Sequence, residues 1–379
     1  MHVSRTLGRY CAPTRIVTGL GGLRTLDAEL SGLPGPATVV ADRGVAAVGL
    51  LTQILDHVEP TRLGPVILVD PNPDVSTVTA AIAQARASNS QTVLAIGGGS
   101  GLCAAKGVAI GLTNGGCIAN YEGAGNVPAA AAPTIAIPTT AGSGSEVSNA
   151  LVLHEPGRPR EIVVRGPGCE PRVAILDATV LRGLPWAPLV YAGLDALSHA
   201  LEALWVRGST TFTDALAIHS AQQVFRTLPR AVSGCTDGSN ATGANDAVLQ
   251  ELLEASTAAN LACGSSGLGL VHALSSSVQV LLPHGQQNGV LLPAVARLNR
   301  RSVNAATAAL IDQLPWLYQA IGFDDRFDPN VVGPEQLHSM VTATCGHPFR
   351  INNRIDVTDD QLVELLATTV APNRKDALR

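Results

Sequence analysis

TVLAIGGGSGLCAAKGVAIGL, residues 92–112, is the stretch whose reading decides the fold. TVLAI is a short apolar run of strand length, three glycines and a serine interrupt it, and a helix-like segment of small residues follows. A strand that turns through Gly97, Gly98, Gly99 and Ser100 into a helix is half of a βαβ unit. Glycines let backbone amides approach an anion closely, and the helix N-terminus adds partial positive charge and unpaired N–H donors. The turn is neither GxGxxG nor a P-loop, and taken alone a glycine triplet after a strand is more often just a tight turn. Lys106 falls in the second turn of the expected helix. With Lys375 it is one of two lysines among 25 basic residues, which marks it as a candidate cofactor contact; chance retention in an arginine-biased chain is the alternative.

The same rhythm runs outward from this unit. ATVVAD (37–42), PVILVD (65–70), PTIAIP (133–138) and RVAILD (172–177) alternate with Ala-rich helical stretches. Continuous apolar strands imply a sheet covered on both faces, hence a mostly parallel one. From Leu184 the texture changes. PWAPLVYAGLDALSHALEALW, TDALAIHSAQQVFRTLPRAV and DAVLQELLEASTAANLACG carry apolar residues at helical period. The expected architecture is an α/β domain over residues 1–184 and an all-helical domain over 185–379, with LRGLPWAP as the boundary; the nucleotide-binding and metal-binding roles of the two follow from the residues and the resemblance given below. SGCTDGSNATGAND (233–246) reads as a mobile surface loop and PAAAAP (128–133) as a connector.

Hydrophobic residues make up 46% of the 379 and charged residues 15%, with a net charge of -5, so there is ample core and no basic surface for nucleic acid. The N-terminal stretch lacks a signal-peptide core, and no apolar run approaches the roughly 20 residues of a membrane helix, so a cytoplasmic location is expected. Seven scattered cysteines form no CxxC pair and read as free thiols.

A second glycine-rich segment, IPTTAGSGSEVS (137–148), offers hydroxyls at Thr139, Thr140, Ser143 and Ser145 that could line a nucleotide; a polar turn is the plain alternative. Asp42 closes the strand ATVVAD, where a carboxylate could accept from ribose hydroxyls and repel a 2′-phosphate. That favours NAD over NADP, although Arg43 beside it could offset the repulsion.

In GLDALSHALEALW, Asp195 and His199 are four residues apart, which puts both on one helical face about 5 to 6 Å apart at Cβ. His272 in GLGLVHAL and His284 in LPHGQQNG complete a candidate set of one carboxylate and three imidazoles. That set suits Fe(II) or Zn(II) better than Mg(II) or Ca(II), which prefer oxygen shells. Each member alone is as easily a core or capping residue. His2, His57, His154, His219, His338 and His347 have no such setting and read as structural.

GGGS with Lys106, PTTAGSGSEVS, GLDALSHALEA, GLGLVHAL and LPHGQQNGVLLP, in this order, resemble the iron-containing (group III) alcohol dehydrogenase family. The resemblance runs from RIVTGLGGL (15–23) to INNRIDVTDDQLVELL (351–366). It implies an active site in the cleft between an α/β and a helical domain, with Asp195, His199, His272 and His284 on the metal. It further implies hydride transfer between a small or functionalised alcohol and C4 of a nicotinamide, the metal acting as Lewis acid on the substrate oxygen. A homodimer is expected. Three departures stand out. Cys103 replaces an aspartate. Ser276 replaces a second histidine four residues past His272, which leaves that hydroxyl, water or the cofactor ribose as candidate proton paths. Arg160 replaces a lysine near the cofactor. Two other readings stay open: a lyase of the dehydroquinate synthase type, which also uses NAD and a metal, and a cofactor-binding protein without turnover.

Overall fold

The computed structural model describes residues 8–233 and 245–371. Most of the loop expected at 233–246, Cys235 within it, His2 and Lys375 lie outside the described residues. Among the described residues nine strands occur in chain order: β1 Arg15–Thr18, β2 Ala37–Asp42, β3 Leu63–Val69, β4 Thr92–Gly97, β5 Gly123–Ala124, β6 Thr134–Pro138, β7 Ala150–Leu153, β8 Ile162–Arg165 and β9 Val173–Leu176. Six of them form one all-parallel sheet in the order β1-β9-β6-β4-β2-β3. β2, β4, β6 and β9 are almost wholly buried, as continuous apolar strands require when helices cover both faces. Helices α1 (Val75–Ala87) and α2 (Gly99–Asn114) belong to this layer.

The chain runs outward from β2 to β3 and in the opposite sense from β4 through β6 to β9. The order therefore reverses between β2 and β4, which opens a crevice at their carboxyl ends. Asp42 closes β2 there and the glycine turn closes β4.

Sequence reading missed β1 and a small second sheet, in the order β5-β8-β7, whose antiparallel arm pairs Leu153 with Ile162. Its strands are two to four residues long, too short for alternation to announce them.

The second half is helical as expected: α3 Trp186–Trp205, α4 Thr211–Val232, α5 Asp246–Ser266, α6 Leu270–Leu274 and α7 His284–Asn299, followed by shorter helices to Asp359–Ala367. α3 is buried along its last thirteen residues and packs against α4, α5 and α7, so it is the axis of this half. The glycine-rich segment after β6 seats directly on its first turns. A Cβ on Gly142 would lie 2.7 Å from the Cα and the carbonyl oxygen of Ala192, both backbone atoms that cannot swing away.

Gly142→Ala should therefore destabilise the fold by about 1–3 kcal/mol in urea unfolding. Gly44→Ala, in an exposed helical turn with nothing within 4 Å, should leave stability unchanged or raise it by about 0.5–1 kcal/mol.

Candidate metal and nucleotide site

α3 presents Asp195, His199 and Glu202 at spacings of four and three on one buried face. His272 lies in α6, and His284 is the first residue of α7. The fold brings all four expected ligands together. His199 Nδ1 and His284 Nε2 each lie 4.0 Å from Asp195 Oδ1, and His272 Nε2 lies 3.6 Å from it. The His199 and His272 rings stack at 4.5 Å between centroids. Ligand atoms of Asp195, His199 and His272 fall within 4.8 Å of one another, close enough for one ion. These three side chains are less than a tenth exposed, whereas that of His284 is 41% exposed, so the cluster opens on the His284 side.

Glu202, which sequence reading did not single out, lies behind His272. Its Oε2 sits 2.8 Å from His272 Nδ1, and its Oε1 accepts the Val271 N–H at 2.7 Å. A carboxylate on the far nitrogen fixes the ring and turns Nε2 toward the cluster, the usual support for a metal-bound imidazole. The signal was available: Glu202 is seven residues from Asp195, two helical turns along the same stripe.

The electrostatics show what the cluster lacks. Burial alone would raise the Asp195 carboxyl, yet the three imidazoles, His199 foremost, hold it well below the usual carboxylate range. Burial lowers His199 to about 4 and also lowers His284. Burial would lower His272 too, but Asp195 and Glu202 lift it to about 9. Asn288 Nδ2 lies 2.7 Å from Asp195 Oδ1, 3.1 Å from His272 Nε2 and 3.0 Å from His284 Nε2. An amide nitrogen has two hydrogens and no lone pair, so it cannot satisfy all three neighbours. Among the described residues His199 Nδ1 and Asn288 Oδ1 are buried without a hydrogen-bond partner. A group of converging lone pairs with too few donors is a cation site in its chemistry, and the donor set fits a divalent ion of the Fe(II) or Zn(II) type.

At the crevice the two glycine-rich turns meet side by side. A Cβ on Gly98 would touch the Thr140 hydroxyl at 3.1 Å, and one on Gly99 would touch Ser143 Cβ at 3.1 Å. Thr139 is anchored through its N–H to the Gly97 carbonyl. Ser100 Oγ accepts the Asn72 N–H, and Cys103 Sγ lies 3.7 Å from Ser145 Oγ. Asp42 is not simply held out toward a ribose. Its carboxylate accepts the Gly98 N–H at 2.6 Å and bonds the Gly101 amide, and burial pushes it up to about 6 against the pull of those amides. Arg43 forms a two-point pair with Asp70.

The structure places three further expected residues as follows. Lys106 does not face a phosphate. It is 1% exposed, and its Nζ donates to the carbonyls of Ser145 at 3.1 Å, Ser148 at 3.3 Å and Ala150. All three ammonium hydrogens are spent on the backbone under the second loop, and burial lowers its pKa. Ser276 is a poor proton path, because its buried hydroxyl donates to the Ala273 carbonyl of its own turn. Arg160 lies at the junction of the two halves, its backbone bridged to Ser277 and its Nη1 donating to the Cys345 carbonyl. The helical half grips the second loop elsewhere too: Asn260 donates to the Ser143 carbonyl, and the Thr257 hydroxyl to the buried Glu146. His347, expected to be structural, accepts the Phe349 N–H as a helix cap.

The family model described as iron-containing alcohol dehydrogenase matches residues 13–178, and that of the Fe-containing alcohol dehydrogenase C-terminal part matches 189–314. Alcohol dehydrogenase 4 of Saccharomyces cerevisiae is 35% identical over 273 residues, 71% of this chain and 69% of the yeast protein. The chain belongs to the iron-containing alcohol dehydrogenase family. The probable alcohol dehydrogenase EutG of Escherichia coli is 40% identical over 230 residues, 60% of this chain and 56% of that protein. Among solved structures, the sulfoacetaldehyde reductase of Bifidobacterium kashiwanohense in complex with NAD+ superposes with a TM-score of 0.83 at 28% identity, covering 97% of this chain and all of that one. A 1,3-propanediol oxidoreductase superposes at 0.86 with 25% identity, covering 96% and 100%. The chain is thus an oxidoreductase of the alcohol dehydrogenase type, and the lyase reading is not favoured.

Lys106→Met should lower stability in urea unfolding by on the order of 3 kcal/mol, since three carbonyls lose their donor. A phosphate-binding lysine would instead leave stability unchanged and weaken the cofactor alone.

Proposed function

We propose that this dehydrogenase interconverts a small or functionalised alcohol and its aldehyde or ketone, with NAD as hydride carrier and one Fe(II) or Zn(II) per chain. The observation that carries the reading is the convergence of Asp195, His199, His272 and His284 below the crevice formed by Gly97–Ser100 and Thr139–Ser143. We place the division between the two domains near residue 184, where the sheet layer gives way to α3. Asp42 beside the glycine turn supports NAD over NADP, because a 2′-phosphate there would meet a carboxylate.

When bound, the ion draws electron density from the substrate oxygen and the nicotinamide carries the hydride. The chain's own residues do the rest. Asp195, His199 and His272 provide a rigid buried floor, and Glu202 keeps the His272 ring from rotating. His284, the exposed member, faces the side from which substrate enters. Thr140 and Ser143, held against Gly98 and Gly99, give the cofactor hydroxyl partners, while the Lys106 clamp keeps their loop in place. The free thiols of Cys11, Cys103, Cys117, Cys169, Cys263 and Cys345 suit a reducing compartment, and we assign the enzyme to the cytoplasm. No helix among the described residues is long and apolar enough to cross a membrane. We expect a homodimer, since among the described residues β1 leaves one edge of the main sheet unpaired.

Protein purified without oxygen should contain one Fe or Zn per chain and change absorbance at 340 nm with NAD(H) and a panel of alcohols and aldehydes. His272→Ala should lose both metal and turnover; binding of NAD(H) without any turnover would instead favour a cofactor-binding protein. Glu202→Gln should weaken the metal by about 10–100-fold in a chelator competition, with the ligands themselves intact.

A further inference from the structure

β2 and β3 run side by side and end together, with Asp42 opposite Val69 in the parallel register. One residue further along each strand stand Arg43 and Asp70, both beyond the carboxyl end of the sheet. Arg43 Nε donates to Asp70 Oδ1 at 2.8 Å and Arg43 Nη2 to Asp70 Oδ2 at 3.3 Å, a two-point pair of fork on fork. The side chains are 57% and 69% exposed, where solvent screens an ion pair and leaves it little weight in stability. The fold has small need of this pair.

Its place is the rim of the crevice. Beside Arg43, Asp42 accepts the Gly98 N–H at 2.6 Å, so the end of β2 rests on the first glycine turn. Beyond Asp70, the turn over residues 70–74 reaches back across β2 to that same glycine turn, where the Asn72 N–H donates to Ser100 Oγ at 3.1 Å. The turn is held from two sides. Pro71 and Pro73 fix their own φ angles, Asn72 lies between them in the left-handed region at φ 55°, and the Pro73 carbonyl accepts the His154 N–H at 3.0 Å. The backbone that carries Asp70 is therefore stiff, and Arg43 is drawn against it.

Where an α/β sheet binds a dinucleotide across such a crevice, a carboxylate near the glycine turn meets the ribose 2′-hydroxyl, and an arginine nearby accommodates a 2′-phosphate. This chain carries both at neighbouring positions, Asp42 and Arg43, so the choice of cofactor turns on what Arg43 is free to do. A guanidinium matches a phosphate in geometry and offers five N–H donors. Asp70 takes two of them.

Resting on the NAD-dependent dehydrogenase reading above, we infer that Asp70 decides the cofactor: its two-point pair withholds the Arg43 guanidinium from a 2′-phosphate, which then meets only the Asp42 carboxylate. A 2′-hydroxyl has no need of Arg43 and is unaffected. Asp70 is a positioning residue that acts through Arg43, and its removal lets the enzyme accept NADP.

Two measurements on the full-length, metal-loaded enzyme test this. Calorimetry compares adenosine 2′,5′-bisphosphate with adenosine 5′-monophosphate, which differ only in the 2′-phosphate and need no turnover. The parent should bind the monophosphate more tightly. Asp70→Asn should improve the bisphosphate relative to the monophosphate by about 10–100-fold, the range of a hydrogen bond between charged groups, and should raise the ratio of kcat/KM for NADP to that for NAD by a similar factor. In the double variant Asp70→Asn with Arg43→Gln that gain should disappear, because Arg43 carries it. No gain in Asp70→Asn, a gain that survives in the double variant, or equal weakening of both nucleotides would each overturn the inference. A parent that binds neither nucleotide and turns over no NAD(H) would sink the NAD reading and this inference with it, whereas NAD turnover with an unchanged ratio in Asp70→Asn would sink the inference alone.

Discussion

A carboxylate and three imidazoles packed around one point inside a helical bundle cannot be balanced by the protein alone. Burial pushes every one of these groups toward its neutral form, and their mutual attraction pulls Asp195 and His272 back toward charge. Asn288 brings two hydrogens to three neighbouring polar atoms and leaves its own oxygen without a partner. A divalent ion answers both problems, since it satisfies the lone pairs and neutralises the carboxylate. The surrounding architecture follows from holding that point still. α3 supplies two ligands and the supporting Glu202 from one buried stripe, and α4, α5 and α7 enclose it.

The nucleotide side depends on a second constraint, the placement of two glycine-rich turns against each other and against the helices. Lys106 ties down three carbonyls beneath the second turn, Gly142 lets that turn touch the α3 backbone, and Asn260 and Thr257 hold it from α5. The crevice and the metal cluster are therefore not two independent sites. The loop that follows β6 touches the second turn of α3 at Ala192, and Asp195 stands three residues further on. Positioning of this kind lets a hydride donor and a polarised oxygen meet with little reorganisation.

The α/β and helical halves, five of the six strands of the main sheet and the shared helical face of Asp195 and His199 could be read from period and spacing, because each rests on a run of residues that repeats a rule. What stayed hidden were properties of single side chains. Lys106 was conspicuous by rarity, yet rarity does not reveal direction, and it points into the backbone. Asp42 was placed correctly at the strand end, but its bonds to the Gly98 and Gly101 amides depend on how the turn curls. Glu202 could have been found by extending the Asp195–His199 stripe one more turn. Ser276 drew attention through what it replaces, whereas its hydroxyl bonds within its own turn.

The most direct test of the central claim is X-ray absorption at the Fe or Zn edge of metal-loaded protein, with and without the His272→Ala substitution. One ion per chain is expected, with about three imidazole nitrogens and one carboxylate oxygen in its inner shell at roughly 2.0–2.2 Å, and no bound ion in the variant. A shell containing sulfur, a six-oxygen shell, or a spectrum unchanged by His272→Ala would contradict it.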